Sequence, residues 1–539
     1  MYQHPQVEYG YSKRQIVLAM TAIFAVYGVM TYFVQSMGIA RPKMAAELNG
    51  MSLYSWAMSL PALVSAFATL LFGKFSDIYG RRFILMVSLA FALLGSVLIP
   101  ISPNFKFLIV ASMIGAVGSG SMMPLVFSVV GDMFAPDKRG KWIGLLNFPT
   151  LGFALIGPTM GGWFTDHLGW RWLYWISLPL LAFCLITVPM GVPSLVRKAS
   201  RIKIDYIGCL LVAVALAAMI IGLSFPGMGY SWASVQVIGL LALSLIFWFL
   251  FIGYESGAEA PVLDPQVFRN RIFLTVAGAS LFSFFGQIGI IMYFPMFLQG
   301  VQGHSTTLSG SIITPFSAIM AAVGVCTGFL LARSKRYKWM YVLGFGLATV
   351  DMFGIVFFNA GTPIALILVA AGIIGIGLGA VPTINTLVIQ NTMPKNLLGV
   401  GMGAIFFCIA MGVALAPAVL GSVMNSASAG SLARTVPDEL KRLDKKTFDS
   451  LTDSKVLLSQ KDMDALEKRF QDRGSEGPAL FHKTVEAIRN SMQAGIRSVF
   501  LFGAIAMLIS FLLISTIPAT SLDAGAAKDK AAEVVEETA

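Results

Sequence analysis

The chain has 539 residues, of which 56% are hydrophobic and only 12% charged, and its mean hydropathy is +0.77. A soluble domain carries about 25% charged residues, so this composition excludes an ordinary soluble enzyme and points to a polytopic membrane protein. The net charge of +11 does not signal nucleic acid, because the basic residues fall in short segments between apolar runs, where they report topology.

A helix that crosses the hydrocarbon needs about 20 apolar residues. Fourteen runs of the sequence are candidates: 15–40, 54–76, 82–101, 106–133, 142–164, 170–193, 205–225, 234–254, 272–296, 306–333, 339–359, 363–391, 399–425 and 496–517. With no water to satisfy backbone groups in lipid, runs of this length must be helices, so the fold class is all-α. Lys13 and Arg14 precede a run too long for a signal-peptide core, and no small-residue cleavage site follows it. The four cysteines, Cys184, Cys209, Cys326 and Cys408, all lie inside apolar runs and read as small buried hydrophobes rather than disulfides or metal ligands.

Loop charge tests the span count. Even-numbered spans lead into Lys74, Arg81 and Arg82; Lys138, Arg139 and Lys141; Arg197, Lys198, Arg201 and Lys203; Arg269 and Arg271; and Arg333, Lys335, Arg336 and Lys338. The alternate short loops carry Arg41, Lys43, Lys106 and Arg171. That asymmetry predicts that both termini are cytoplasmic, in the cell membrane. The segment 426–495 is polar, with Lys445, Asp462, Glu467 and Arg469, and Ser459 is placed to cap a helix. It predicts a small, partly helical extracytoplasmic insertion. The domain reading is an N-terminal six-helix bundle (1–200), an inserted helix pair (201–262), a C-terminal six-helix bundle (263–518) carrying the insertion, and a disordered tail (519–539) rich in Ala and Glu.

Between the second and third spans stands Gly73-Lys-Phe-Ser-Asp-Ile-Tyr-Gly-Arg-Arg82. A polar turn this short must be a tight hairpin at the membrane surface. Gly73 and Gly80 allow close approach and unusual φ, Asp77 can cap a helix or face a positive helix end, and Arg81 and Arg82 mark the face as cytoplasmic. Gly328-Phe-Leu-Leu-Ala-Arg-Ser-Lys-Arg336 is a faint echo after the tenth span, with Ala332 where Asp77 stood, which fits two repeated halves. The fifth span contains Gly152, Gly157-Pro158 and Gly161-Gly162, small residues and a bend that let helices pack closely.

The 73–82 decapeptide resembles the signature loop of the major facilitator superfamily. The glycine pattern of the fifth span resembles the antiporter motif of its exporters. With Trp170-Arg171-Trp172, Asp205-Tyr-Ile-Gly208, Gly229-Tyr-Ser-Trp232 and the run Tyr293 to Ser305, the chain resembles the fourteen-helix drug:proton antiporter family across spans 1 to 13. That resemblance implies two six-helix bundles around a central cavity, two extra helices between them, and export of lipophilic compounds against proton entry. It implies that Asp77, Arg81 and Asp132 form a cytoplasmic charge relay, with Asp77 facing the start of the thirteenth helix near Gly399, Gly401 and Gly403. Two departures stand out. The family's arginine early in the fourth span falls at Ser112, and its first-span aspartate falls at Phe33, with Gly38 at an asparagine position.

Among Asp and Glu, only Asp351 lies deep in a span. A buried acid there is costly and marks a functional hypothesis, here a proton carrier, although the eleventh helix is peripheral in the family fold. The deep polar groups of the expected cavity helices are Gln35, Asn147, Gln287 and Asn385, with Tyr27, Tyr32 and Tyr293; each is a candidate for substrate contact or for interhelical hydrogen bonding. No deep carboxylate faces this cavity, so neutral or anionic lipophiles fit at least as well as cations. The reading is a monomeric secondary exporter of lipophilic small molecules, with protons as the expected coupling ion and no cofactor or metal. The alternatives are a transporter of the same fold for a lipid, fatty acid or anionic metabolite with weak or no proton coupling, and a membrane receptor that uses the 426–495 insertion.

Overall fold

The computed structural model describes residues 12–133, 142, 145–193, 205–228, 230–258, 265–334, 337–393, 398–441, 451–452, 454–458, 460–471 and 477–518. The basic loops at 136–141 and 197–203, Lys335 and Arg336, Lys445, Ser459, the 519–539 tail, and the side chains of Asp77, Asn147 and Ala332 lie outside the described residues, as do those of the Gly399 and Gly403 positions.

Long helices follow the predicted order. They are α1 (Lys13–Ser36), α2 (Trp56–Tyr79), α3 (Arg81–Leu98), α4 (Phe105–Met133), α5 (Asn147–His167), α6 (Arg171–Gly191), α7 (Tyr206–Ser224) and α8 (Val235–Glu255). The series continues with α9 (Arg271–Val301), α10 (Thr306–Ser334), α11 (Lys338–Ile355), α12 (Ile364–Gly379, resuming at Val381–Thr392), α13 (Leu398–Thr435) and α14 (Gly477–Ser515). Among the described residues, twelve stretches are long and apolar enough to cross a membrane. Helices α5 and α11, of 21 and 18 residues, fall short in apolarity. The first is diluted by Gly and Pro, and the second carries Lys338 and Asp351; both pack within the bundles.

Local chemistry sets the helix starts. Ser12 and Gln15 exchange reciprocal bonds in front of α1, a capping box that satisfies two orphan donors. Asp205, Ser234 and Asn270 cap α7, α8 and α9 through their side-chain oxygens. At Gly80, between α2 and α3, φ is +92°, a conformation that a side chain would strain. The α9 helix runs through two widened turns, Gly289–Tyr293 and Phe297–Val301, on either side of Pro295; such turns recur at functional sites.

The packing repeats. In the first half α1 packs on α6 and α5, α2 on α4, and α3 on α4 and α6. In the second half α9 packs on α14 and α13, α10 on α12, and α11 on α12 and α14. Each pair maps onto the other by a shift of eight helices, which is the internal repeat that the echo at 328–336 suggested. The halves meet through α5 on α10 and α2 on α13, again equivalent by that shift. The inserted pair α7–α8 lies against α13 and α2, with Trp56 stacked on Phe225.

The segment 426–495 holds helical residues and a small core of its own, and the flanking helices reach further into it than the span ends at 425 and 496. Helices α13 and α14 continue through both ends of that segment, with 38 and 39 residues, so each is about 57 Å long against a hydrocarbon core of about 30 Å. Their projecting ends close a small apolar core of Val436, Leu440, Leu451, Phe470 and Phe481. Cys326, expected to be buried, is exposed on the helix surface, and Cys184 alone of the four is fully buried.

Candidate functional site

Two faces can be distinguished by the connections they carry: the loop face, with the 73–82 turn, and the insertion face, with residues 37–54, 168–170, 302–305 and the projecting ends of α13 and α14.

At the loop face Arg81 Nε donates to Asp132 Oδ2 at 3.0 Å, with side-chain exposures of 12% and 15%. Arg81 also donates to Ser76 Oγ, whose hydroxyl in turn donates to the Gly73 carbonyl at 2.6 Å. Two of the three predicted relay residues are therefore in contact. A Cβ added at Gly73 or at Gly152 would meet nothing within 4 Å, so both glycines face open space.

The insertion face is packed tightly. A Cβ on Gly161 would stand 2.2 Å from the Ser36 carbonyl, one on Gly157 2.8 Å from Gln35 Cβ, and one on Gly162 2.4 Å from the Thr306 carbonyl. A Cβ on Gly310 would stand 2.3 Å from the Pro158 carbonyl. The glycine motif of α5 thus seats two helices at backbone contact, α1 within its own half and α10 across the interface. Thr159 and Thr314 share a hydrogen bond of 2.9 Å there. One turn further, Asp166 accepts from the Thr307 amide and hydroxyl, each at 2.6 Å, from the Thr306 amide at 3.3 Å, and from Lys43 Nζ at 2.9 Å. Tyr54 forms the equivalent link beside α2: its hydroxyl donates to the Met292 carbonyl at 2.9 Å, and its ring meets Tyr293 edge-on. Residues Ser454–Leu458 of the insertion pack on Arg41–Glu47 of the first half and on Phe297–Val301 of the second.

Two cavities adjoin Tyr54. The first, of about 180 Å³, lies within the first half among α1, α2, α3, α4 and α6, and its lining includes Phe33, Arg41, Tyr54, Ser112 and Tyr174. The second, of about 320 Å³, lies between the halves beneath the insertion, lined by Tyr54, Tyr293, Asn425, Ser454 and Ser491 among others. Tyr54 belongs to both.

The predicted cavity residues divide. Tyr293 lines the second cavity. Gln35 packs on α5, Tyr27 meets Phe127 edge-on, and Tyr32 donates to the Leu173 carbonyl at 2.6 Å. Asn385 is 4% exposed and is held between Tyr341 and Ser280, donating to Ser280 Oγ at 2.8 Å. Gln287 is buried, and neither it nor Asn385 lines either cavity. Asp351 is 9% exposed, faces neither cavity, and its Oδ2 has no hydrogen-bond partner among the described residues.

Sequence reasoning missed Arg41, Tyr54, Asp166 and Tyr174. Loop charge places Arg41 between two spans. Instead the chain barely leaves the helix: Gly38–Ala40 and Arg41–Glu47 continue α1. A helical reading of 37–45 would have exposed this, because Arg41 shares a stripe with Met37, Met44 and Ala45, all of them buried. Asp166 carries no comparable signal, since its partners lie 140 residues away.

Two helix bundles related by an internal repeat, meeting at paired helices around cavities, define a multi-pass membrane transport protein. The chain belongs to the Major Facilitator Superfamily, whose family model matches residues 16–417. It is 29% identical over 513 residues to the multidrug transporter protein MdtP of Bacillus subtilis, covering 93% of each chain, and 26% identical over 399 residues to multidrug resistance protein 3 of the same organism, covering 72% of this chain and 75% of that one. Among solved structures, a bacterial homologue of the human lysosomal transporter Spinster, inward-facing and unoccupied, superposes with a TM-score of 0.59 at 17% identity, over 94% of this chain and 98% of that one. Members of this family are transporters of small molecules, not enzymes.

Proposed function

We propose that this protein exports lipophilic small molecules by alternating access, with fourteen membrane-spanning helices, the loop face and both termini in the cytoplasm, and the cell membrane as its site. The observation that carries the reading is the asymmetry between the two faces. Across the insertion face the halves are joined by Gly162 on Thr306, Asp166 on Thr307 and Tyr54 on Met292, whereas among the described residues the bonded contacts of the loop face, Arg81 with Asp132 and Ser76, stay within the first half. A molecule of this shape receives cargo from the cytoplasmic side. The names of the Bacillus relatives, both multidrug proteins, support drug-like cargo. The Arg81–Asp132 pair stiffens the rim at which the halves must later close.

Proton entry is the coupling we propose, with Asp351 as its carrier, a buried acid in a bundle with a carboxylate oxygen left unsatisfied. The test is dye efflux from proteoliposomes under an imposed pH gradient. Efflux that follows the gradient and is lost in Asp351→Asn supports the scheme. Gradient-dependent efflux retained in both Asp351→Asn and Asp132→Asn removes these acids from it. The second reading, an anionic lipophile moved with weak proton coupling, is favoured by Phe33, which stands at the family's aspartate position and leaves the first cavity without a carboxylate among its lining residues.

A further inference from the structure

We propose that the cavity of the first half is a binding site for the anionic group of an amphiphilic cargo, with Arg41 as the residue that selects for it. The inference rests on the transport reading only in calling the occupant a cargo.

Arg41 is the one charged side chain among the described residues that line this cavity. Its electrostatic neighbours there are Tyr54 and Tyr174, not carboxylates. A guanidinium has five N–H donors in a rigid fork. Among the described residues, the hydrogen-bond acceptor it has found is the thioether of Met58, which is a weak acceptor. Lys43, two residues on, leaves for the ion pair with Asp166, and Glu47 is taken by Arg171 and by the indole of Trp170. The nearby acids are thus committed elsewhere.

A cation held in a largely apolar chamber with no opposite charge is costly, and such residues mark ligand sites. The rest of the lining suits the body of an amphiphile. Phe33, Met37, Met44 and Ile99 supply adaptable apolar surface, and Ser112 adds a hydroxyl. Phe33, at the position of the family's first-span aspartate, opens onto this chamber, so the acid is gone from the place where the cation stands, and Ser112, at the family's arginine position, leaves Arg41 as its cation among the described residues. A planar sulfonate or carboxylate matches the fork in two-point contact. An organic cation would meet like charge.

The test is equilibrium binding to the full chain in phosphate-free maltoside micelles, with two probes that differ in one group. These are 8-anilinonaphthalene-1-sulfonate and its uncharged parent, N-phenyl-1-naphthylamine. Wild type is expected to bind the sulfonate saturably and more tightly than the neutral probe. Arg41→Leu should weaken the sulfonate roughly ten- to hundredfold, the range of one charge-assisted hydrogen bond, and leave the neutral probe within about twofold. Arg41→Lys should keep part of the preference, and Ser112→Ala, checked for a monodisperse fold, should shift it less. Absence of saturable sulfonate binding to wild type, or equal weakening of both probes in Arg41→Leu, overturns the proposal. So does displacement of the sulfonate by phosphatidylglycerol but not by dodecanoate, which would make Arg41 a structural lipid site. Because binding is read without flux, a failure here leaves the export reading standing, and a chain that binds but does not pump refutes export alone.

Discussion

Asp166 makes the densest set of polar contacts described across the insertion face. It ends α5 beyond the apolar stretch, its side chain is 15% exposed, and it holds the second half through both the amide and the hydroxyl of Thr307. Burial acts to raise its pKa, but the Thr307 hydroxyl, then Lys43 and the Thr307 amide, outweigh burial and hold the carboxyl at about 2, against an ordinary 3.8. A depression of that size corresponds to about 2 kcal/mol in favour of the bound carboxylate. Asp166→Asn keeps an acceptor but loses the charge, and because Lys43 belongs to the same half only the share from Thr307 bears on closure, so the variant should shift the equilibrium away from the closed insertion face by about 1 kcal/mol, roughly fivefold. Spin labels at Ile101 and Phe357, both exposed and in opposite halves, report the separation by pulsed electron resonance in a chain whose four native cysteines are replaced. A distance distribution identical to that of wild type would refute the latch. The sign of the pH effect follows. A depressed carboxyl contributes fully above its ordinary value and is lost only as pH falls from about 3.8 through 2. Asp166 should therefore contribute the same closure at pH 5 and pH 8, and any change in the distances within that window must come from another group.

Gly162→Ala and Gly310→Ala should impair dye efflux, because each Cβ would meet backbone carbonyl oxygen at 2.4 and 2.3 Å, whereas Gly152→Ala should be tolerated and gain up to about 1 kcal/mol of helix stability, read as a higher melting temperature. Arg81→Ala should lower the melting temperature of the detergent-solubilised protein by a few degrees, since it removes the 3.0 Å ion pair with Asp132 and the bond to Ser76, at a cost of about 1–3 kcal/mol, without altering equilibrium binding of a neutral probe. Asn385→Ala should destabilise by about 1–3 kcal/mol by orphaning Ser280 and Tyr341 and leave substrate selectivity as it was. Replacing 442–476 with a short Gly/Ser linker should increase the open population at the insertion face in the same spin-label experiment while efflux persists; abolished binding of all cargo would instead favour a receptor built on the insertion.

Helix order was legible because each run needed only length and apolarity, and loop charge then fixed their grouping. The two helices of lowest apolarity, α5 and α11, were legible by the same criterion, as the runs 142–164 and 339–359. Side-chain roles were less visible. Tyr32 and Asn385 are polar within the spans, as expected, but their partners lie on neighbouring helices and consume them: Tyr32 reaches a carbonyl 141 residues away and Asn385 a hydroxyl 105 away. Such pairings depend on helix rotation, which a chain of near-uniform apolarity does not encode. Arg41 was hidden for a different reason, since Pro42 reads as a break but sits in the first turn of a helix, where it is tolerated.

Tyr54 has a consequence beyond its hydrogen bond. Its ring is a shared wall of both chambers, and its hydroxyl is one of the ties between the two halves. Along that route, widening the aperture and parting the bundles are a single movement. A swing of the Tyr54 ring that joins the two chambers must therefore break its bond to the Met292 carbonyl, one of the ties between the halves.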